Sequence, residues 1–239
     1  RGRSNYFKNN QYTTLRIKDA IVDRIKKDRM SRPSINKENP DVIVSVFIID
    51  DYIKVYLDSS GRPLFMRGYR SKIHKASLNE CLAAGLVLLS NWDKKSSFYD
   101  PMCGSGTIPI EAAMIGRHIP GGYYRKEYGF QKWKNYNPRI WNTVVKEARE
   151  KILTGRLHIY GSDNVGANID LASKNIRKIL MMQWIKISKK EFSEFTPEEE
   201  GGVVIMNPPY GQRLNEEEDL KPLYELIGDI LKTNYSKLY

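Results

Sequence analysis

The chain has 239 residues, 41% of them hydrophobic, and a formal net charge of +11, which is enough apolar content for a buried core in one large domain or two small ones. No run approaches the roughly 18 consecutive apolar residues of a membrane span, and the opening RGRSNYFKNN lacks the apolar core of a signal peptide, so a soluble, cytoplasmic protein without membrane contact is expected. Cys81 and Cys103 are too few for a disulfide framework, and His74, His118 and His158 lack metal-ligand spacing, so no metal is expected.

The charge is unevenly spread. Residues 1–75 hold 17 Lys and Arg against 8 Asp and Glu, whereas residues 76–239 hold 22 against 20. An asymmetry of this size favours a polyanion-binding surface in the N-terminal third over an ordinary solvated face.

In chain order, residues 13–29 place Leu15, Ile17, Ala20, Ile21, Val22 and Ile25 near a 3.6-residue period, predicting an amphipathic helix with Thr13 or Thr14 as N-cap. DVIVSVFIIDDYIKVYLDSSG reads as two strands joined at Asp50-Asp51 and closed by a Ser-Ser-Gly turn. After the basic connector RGYRSKIHK, ASLNECLAAGLVLLSNW is a strongly apolar helix. The pattern then alternates: strand 96–100, helix 107–116, strand 157–163, helix 168–182, strand 184–188, strand 201–207 and a helix from residue 220. Such alternation predicts a parallel sheet with helices on both faces and a ligand beyond the carboxyl ends of the strands, where Asp100, Asp163 and Asn207 fall. The acidic stretches PEEE and NEEED read as solvated loops.

DPMCGSGT, residues 100–107, sets Gly104 and Gly106 between a strand and a helix, where backbone N–H groups approach a ligand closely. It is not a P-loop, which needs Gly-Lys-Ser/Thr, nor a dinucleotide fingerprint, which wants a third glycine where Pro109 stands. Asp100 would repel a pyrophosphate and suits an amine or a sulfonium. Asp163, at the next strand end, is placed to accept from both hydroxyls of a ribose, or to cap the helix that follows. Glu191 and Phe192, past the third strand, offer an acceptor and an apolar face to an adenine, or belong to an ordinary loop with a core phenylalanine.

NPPYG, residues 207–211, is the more specific signal. An exocyclic amine on a nucleobase is a poor nucleophile because its lone pair is delocalised into the ring. Two acceptors, Asn207 Oδ1 and the Pro208 carbonyl, draw the nitrogen toward a tetrahedral shape, while Tyr210 offers a ring for the base to stack on.

DPMCGSGT together with NPPYG resembles the motif pair of class I S-adenosylmethionine-dependent amino-methyltransferases, and TTLRIKDAIVDR, RPSINKENPDV, LDSSG, RGYR, LNECLAAGL and YGFQKW resemble the THUMP-containing ribosomal RNA guanine-N2 methyltransferases, the RlmL-like group. The resemblance implies an α/β fold. A partial α+β THUMP module for RNA binding would span 1–65, and a Rossmann-like, doubly wound methyltransferase domain 66–239. The cofactor it implies is S-adenosylmethionine, held by Asp100, Pro101, Cys103, Gly104, Gly106 and Thr107, with Asp163 on the ribose, Glu191 and Phe192 on the adenine, and Asn207 at the methyl group. Asn207, Pro208 and Tyr210 would hold the guanine amine for direct displacement. The implied partner is ribosomal RNA, with Arg16, Lys18, Arg67, Arg70, Lys126 and Arg213 as candidate contacts. The family pattern has seven strands and a whole THUMP domain; this sequence carries four strands and the rear part of that module, as a fragment would.

Three competing readings follow from the same residues. Cys103 admits a thiolate nucleophile, as in pyrimidine C5 methylation. Both motifs also occur in DNA adenine-N6 methyltransferases, and a silent RNA-binding scaffold is a third option. In residues 121–141, seven aromatics and five Lys and Arg interleave with one acid, either to clamp unpaired RNA or to pack the insertion, with Arg125, Lys126, Lys132 and Lys134 outward. Arg213 fits a phosphate or the nearby Glu216.

Overall fold

The computed structural model describes residues 2–3, 7–70, 78–194, 196–209 and 220–234. Its contacts divide the chain into two compact units, Arg1–Pro63 with Glu127–Arg139, and Leu64–Lys126 with Ile140–Tyr239. The aromatic insertion is therefore shared between them, its central stretch folding with the first unit.

In the first unit, a two-residue strand β1 (Gly2–Arg3) precedes helix α1 (Asn10–Arg29) and the hairpin of β2 (Val44–Ile49) and β3 (Tyr52–Leu57). The hairpin turns at Asp50-Asp51 as predicted, Ile49 pairing with Tyr52, and β1 adds to β2 in parallel. The helix begins earlier than its apolar period suggests. Its N-cap is Asn9, whose Oδ1 accepts from Gln11 N and Tyr12 N, both at 3.0 Å, and not Thr13 or Thr14. Those two hydroxyls lie inside the helix and bond back to the carbonyls of Asn9 and Asn10, each at 2.7 Å. After β3, Asp58 Oδ1 accepts from Ser60 N (2.8 Å) and Gly61 N (3.2 Å), closing the expected turn. Onto this turn folds the 3-10 helix Gly129–Lys132, with Gly129 N donating to Ser60 O at 3.2 Å and Phe130 N to Ser59 O at 3.0 Å. A Cβ on Gly61, which sits at φ 77°, would meet Gly129 N at 3.1 Å, so both glycines are required by the approach. Phe130 contacts Tyr128 and Tyr136, and Lys132 Nζ donates to Pro40 O, so the packing reading holds for this part of the insertion.

In the second unit, α2 (Glu80–Leu89) is capped by Asn79 and precedes β4 (Phe98–Asp100) and α3 (Thr107–Gly116). Then come α4 (Pro138–Glu150), β5 (Ile159–Asp163), α5 (Gly166–Lys178), β6 (Ile185–Lys189), β7 (Val203–Val204) and α6 (Leu220–Asn234). The four strands form a parallel sheet in the order β6-β5-β4-β7. From β4 the chain proceeds outward to β5 and β6, then returns to the other side of β4 for β7, which makes the β4/β7 boundary the switch point. Except for β6, which keeps its length one residue further on, the strands are shorter than their predicted runs. Ser96 O accepts from Trp92 Nε1 at 2.8 Å, outside the ladder, and β7 pairs only with Phe98 and Tyr99 of β4.

Strand alternation builds two cores. Phe98 and Ile159 point to one face with Ile110, Met114, Ile176 and Met181, while Tyr99 and Tyr160 point to the other with Phe192, Ile227 and Ile230. The two tyrosines stack at 5.3 Å. PEEE is a solvated loop as expected, its three glutamates all exposed, although Glu199 also bonds the Ser97, His158 and Tyr160 side chains. The NEEED stretch lies outside the described residues.

The RGYR motif turns inward. Arg67 Nε and Nη2 donate to the two oxygens of Glu111, both at 3.3 Å, and Tyr69 OH donates to Glu111 Oε1 at 3.1 Å. Arg70 pairs with Glu80 at 2.9 Å and donates to Thr107 Oγ1 at 3.0 Å. The expectation that Arg67 and Arg70 face RNA is therefore corrected: both guanidiniums are largely buried and answer internal carboxylates. Among the described residues, no helix is long and apolar enough to cross a membrane.

Candidate functional site

Beyond the carboxyl ends of β4, β5, β6 and β7 lies a cavity of about 570 Å³. Its floor is the loop after β4. Cys103 N donates to Ser162 O at 2.8 Å, hooking the loop onto β5, and Gly106 N donates to Cys103 O at 2.8 Å, closing the turn. Gly104 at φ 53° and Gly106 at φ 80° occupy the left-handed region that only glycine enters without strain. Their surroundings differ. A Cβ at Gly106 would stand 3.1 Å from Ala172 Cβ on α5, whereas at Gly104 nothing lies within 4 Å. Gly106 thus serves close packing of α3 on α5, and Gly104 presents bare backbone to the cavity.

Asp163 completes the floor. Its Oδ2 accepts from Gly104 N at 2.9 Å, and its Oδ1 from Val165 N (2.9 Å) and Asn168 Nδ2 (3.0 Å). It does not cap α5, whose N-cap position is Val165. Asn175, also on α5 and buried, donates from Nδ2 to Ser105 O at 3.1 Å. Sequence reasoning missed both asparagines. Their signal was available: two poor helix formers seven residues apart share one face of α5, the face that meets the glycine loop.

Asp100 is 1% exposed, accepts from Met102 N at 3.3 Å through Oδ1, and leaves Oδ2 without a partner. Burial, and then the charge of Asp163, push its carboxyl well above the ordinary range. Burial likewise pushes the Cys103 thiol up, with Asp100 and Asp163 adding to it. A thiol so placed stays protonated, which removes the support for the nucleophile reading.

The structure brings most of the predicted residues together. Asp100, Pro101, Cys103, Gly104, Thr107, Asp163, Glu191, Phe192 and Asn207 line the one cavity, Gly106 lies just behind it, and Pro208 is half-buried between the lining residues Asn207 and Pro209. Glu191 is at an exposed edge and accepts from Asn164 Nδ2 at 3.3 Å, while Phe192 serves both cavity and core. Tyr210 and Arg213 lie outside the described residues. Arg16 and Lys126 are exposed, and Lys18 pairs with Asp19 at 2.7 Å. Three carboxylates line the cavity and no Lys, Arg or His does, among the described residues. Nor do these include a group of three or more His, Cys, Asp or Glu able to hold a metal.

One prediction arises directly. Asp100→Asn is expected to stabilise the ligand-free protein by about 1 kcal/mol at pH 7, a rise of a few degrees in melting temperature by calorimetry. Because the folded pKa of Asp100 is raised, its protonated form favours the fold. That contribution is complete below about pH 4, the unfolded value, and is lost as pH rises through the raised one. The variant lacks this decline.

A parallel sheet with its cavity at the switch point, floored by a glycine loop and lined by Asn207 and Pro209, defines a Rossmann-like α/β protein of the class I methyltransferase type. The chain belongs to the UPF0020 family, described as RMKL-like, methyltransferase domain, whose model matches residues 67–238, and a THUMP domain matches residues 1–58. Similar solved structures agree. SMU.472, a candidate methyltransferase complexed with SAH, is 33% identical, with 92% of this chain and 58% of that one covered and a TM-score of 0.81. A possible methylase from Clostridium difficile 630 is 36% identical, with 91% and 57% covered and a TM-score of 0.81. A protein from Listeria monocytogenes str. 4b F2365, described as a predicted N6-adenine-specific DNA methylase, is 33% identical, with 97% and 61% covered and the same TM-score, 0.81. The chain thus spans 57–61% of the length of these relatives.

Proposed function

We propose that this chain methylates the exocyclic N2 amine of a guanosine in large-subunit ribosomal RNA, using S-adenosylmethionine. The observation that carries the reading is that Asn207 of the NPPYG turn shares one acid-lined cavity with the glycine loop. The residues fit the cofactor. Asp100 Oδ2 is a buried acceptor wanting a donor or a cation, Gly104 leaves its backbone uncovered, and the cavity has a ligand-sized volume. When bound, the cofactor supplies a methyl group made electrophilic by its sulfonium.

The other contributions are the chain's own. Gly104 and Asp163 form the cradle, each fixing the other through their 2.9 Å hydrogen bond. Asn207 Oδ1 and the Pro208 carbonyl accept from the two N–H bonds of the target amine, holding its lone pair out of conjugation, and the two prolines stiffen that turn. Tyr210 stacks on the base. For the RNA, support comes from the basic surplus of residues 1–75, which persists without the internally paired Arg67 and Arg70, and from the exposure of Arg16 and of Lys126.

The test offers methyl-labelled cofactor with ribosomal RNA or with DNA, followed by nucleoside analysis. Label in N2-methylguanosine is expected. The description of the Listeria relative favours a second reading, adenine-N6 methylation of DNA, and label in deoxyadenosine would replace the first reading with it. Cofactor binding without transfer to either would leave a silent scaffold.

A further inference from the structure

We infer that Asp100 releases a proton when the amino-acid end of the cofactor enters the cavity, so that cofactor binding is coupled to proton release. The inference rests on the cavity being an S-adenosylmethionine site. It concerns what that site does with charge.

The two carboxylates at the ends of β4 and β5 are treated differently by the fold. Asp163 receives three hydrogen bonds at 2.9–3.0 Å, from Gly104 N, Val165 N and Asn168 Nδ2, so both of its oxygens have partners. Asp100 receives one long bond from Met102 N at 3.3 Å, and its second oxygen has none, although its side chain is almost fully enclosed. A carboxylate charge in that position is barely solvated.

Among the described residues no Lys, Arg or His lines the cavity, and Arg70, which reaches Thr107 Oγ1 from behind, is paired with Glu80. Of the elements around Asp100, β5 contributes Asp163, whose charge disfavours a second one, and the glycine loop contributes the Cys103 thiol, which offers no positive charge. Thr107 opens α3, Asn168 faces the floor from α5, and Asn207 comes from the turn after β7; none carries charge. Glu191, at the exposed edge, is a third acid. Burial first, and then the charge of Asp163, favour the protonated form of Asp100.

The cofactor reverses the balance by bringing a cation of its own. An ammonium beside Asp100 stabilises the carboxylate, the O–H bond of Asp100 breaks, and the proton leaves to solvent. No other bond changes. S-adenosylmethionine and S-adenosylhomocysteine both carry that ammonium, and 5′-methylthioadenosine does not. The three ligands therefore separate the amino-acid end from the sulfonium and from the nucleoside.

The test is titration calorimetry of the whole chain with each ligand, between pH 5 and 7, in two buffers of different protonation enthalpy. In that range the ligand amino group stays protonated. For the first two ligands, about 0.5–1 proton per ligand is expected to be released at the lower pH values, and none for 5′-methylthioadenosine. Their affinity is expected to rise with pH, by up to about tenfold per unit, and to flatten once free Asp100 has itself ionised. The release is expected to vanish in Asp100→Asn. Buffer-independent heats with affinity flat across the range would overturn the inference, and so would release with S-adenosylmethionine alone, which would assign the effect to the sulfonium. Absence of binding by either ligand at every pH would instead sink the reading of the cavity.

Discussion

Asn207→Ala is expected to lower methyl transfer by at least about 100-fold while changing the affinity for S-adenosylhomocysteine by less than about threefold, measured by single-turnover kinetics and calorimetry. The asymmetry follows from position. The cradle is made by the loop after β4 and by Asp163, which hold each other through Gly104 N, and none of their hydrogen bonds runs through Asn207. Asn207 stands across the cavity, on the chain leaving β7. Its proposed work is to accept from an amine whose lone pair is otherwise spread over a ring, and removing such a preorganised partner typically costs 10²–10³ in rate, about 3–4 kcal/mol. Asn207→Asp is informative beside it. Its acceptor is retained but a fourth carboxylate enters the cavity, so partial activity is expected. Equal loss of binding and transfer in Asn207→Ala would make the turn a structural element.

The largest stability effect is expected at Glu111. Replacing it with Ala leaves the Arg67 guanidinium, 15% exposed, and the buried Tyr69 hydroxyl without their shared acceptor. Burial raises the pKa of Glu111, and Arg67 with Tyr69 opposes that rise, so the group is tolerated only because its partners are present. Breaking one side of a buried pair costs about 3–5 kcal/mol, against roughly 1 kcal/mol for an exposed one. For a chain of this size the melting temperature should fall by roughly 10 °C, readable by calorimetry. Glu111→Gln keeps the volume and one acceptor and should lose about half as much. A loss below 1 kcal/mol in Glu111→Ala would mean that Arg67 finds water or another acceptor.

How much of this was legible in the sequence depends on which interactions are local. Helix α3 was readable to its ends, because the glycine turn and Gly116 bound an apolar run on both sides. That the candidate residues meet in one cavity was readable because they lie at strand ends, and alternation of strand and helix fixes where those ends converge. The hidden parts were long-range. Arg67 and Arg70 looked like surface cations, since nothing adjacent in sequence answers them; their carboxylates are 44 and 10 residues further on. A clue existed in TIPIEAAMIG, where Glu111 is the lone charge in an apolar helix and needs an internal cation. The seat of Gly129 on the Asp58 turn was equally hidden, since it joins segments almost 70 residues apart through backbone groups that side-chain patterns do not report.

The brevity of β7 bears on how the proposed catalytic turn withstands thermal motion. Among the described residues it hangs from the sheet on one side only, through Val203 N to Ser97 O and Ile205 N to Tyr99 O, each at 2.9 Å. Gly202, just ahead, cannot carry a side chain there, because a Cβ would fall 2.3 Å from Ser97 O. The turn is thus a short cantilever, clamped at its root and stiffened at its tip by two prolines. Amide hydrogen exchange should reveal the clamp: Val203 and Ile205 protected, Val204 and Met206 exchanging much faster, a two-residue beat along the strand that carries Asn207.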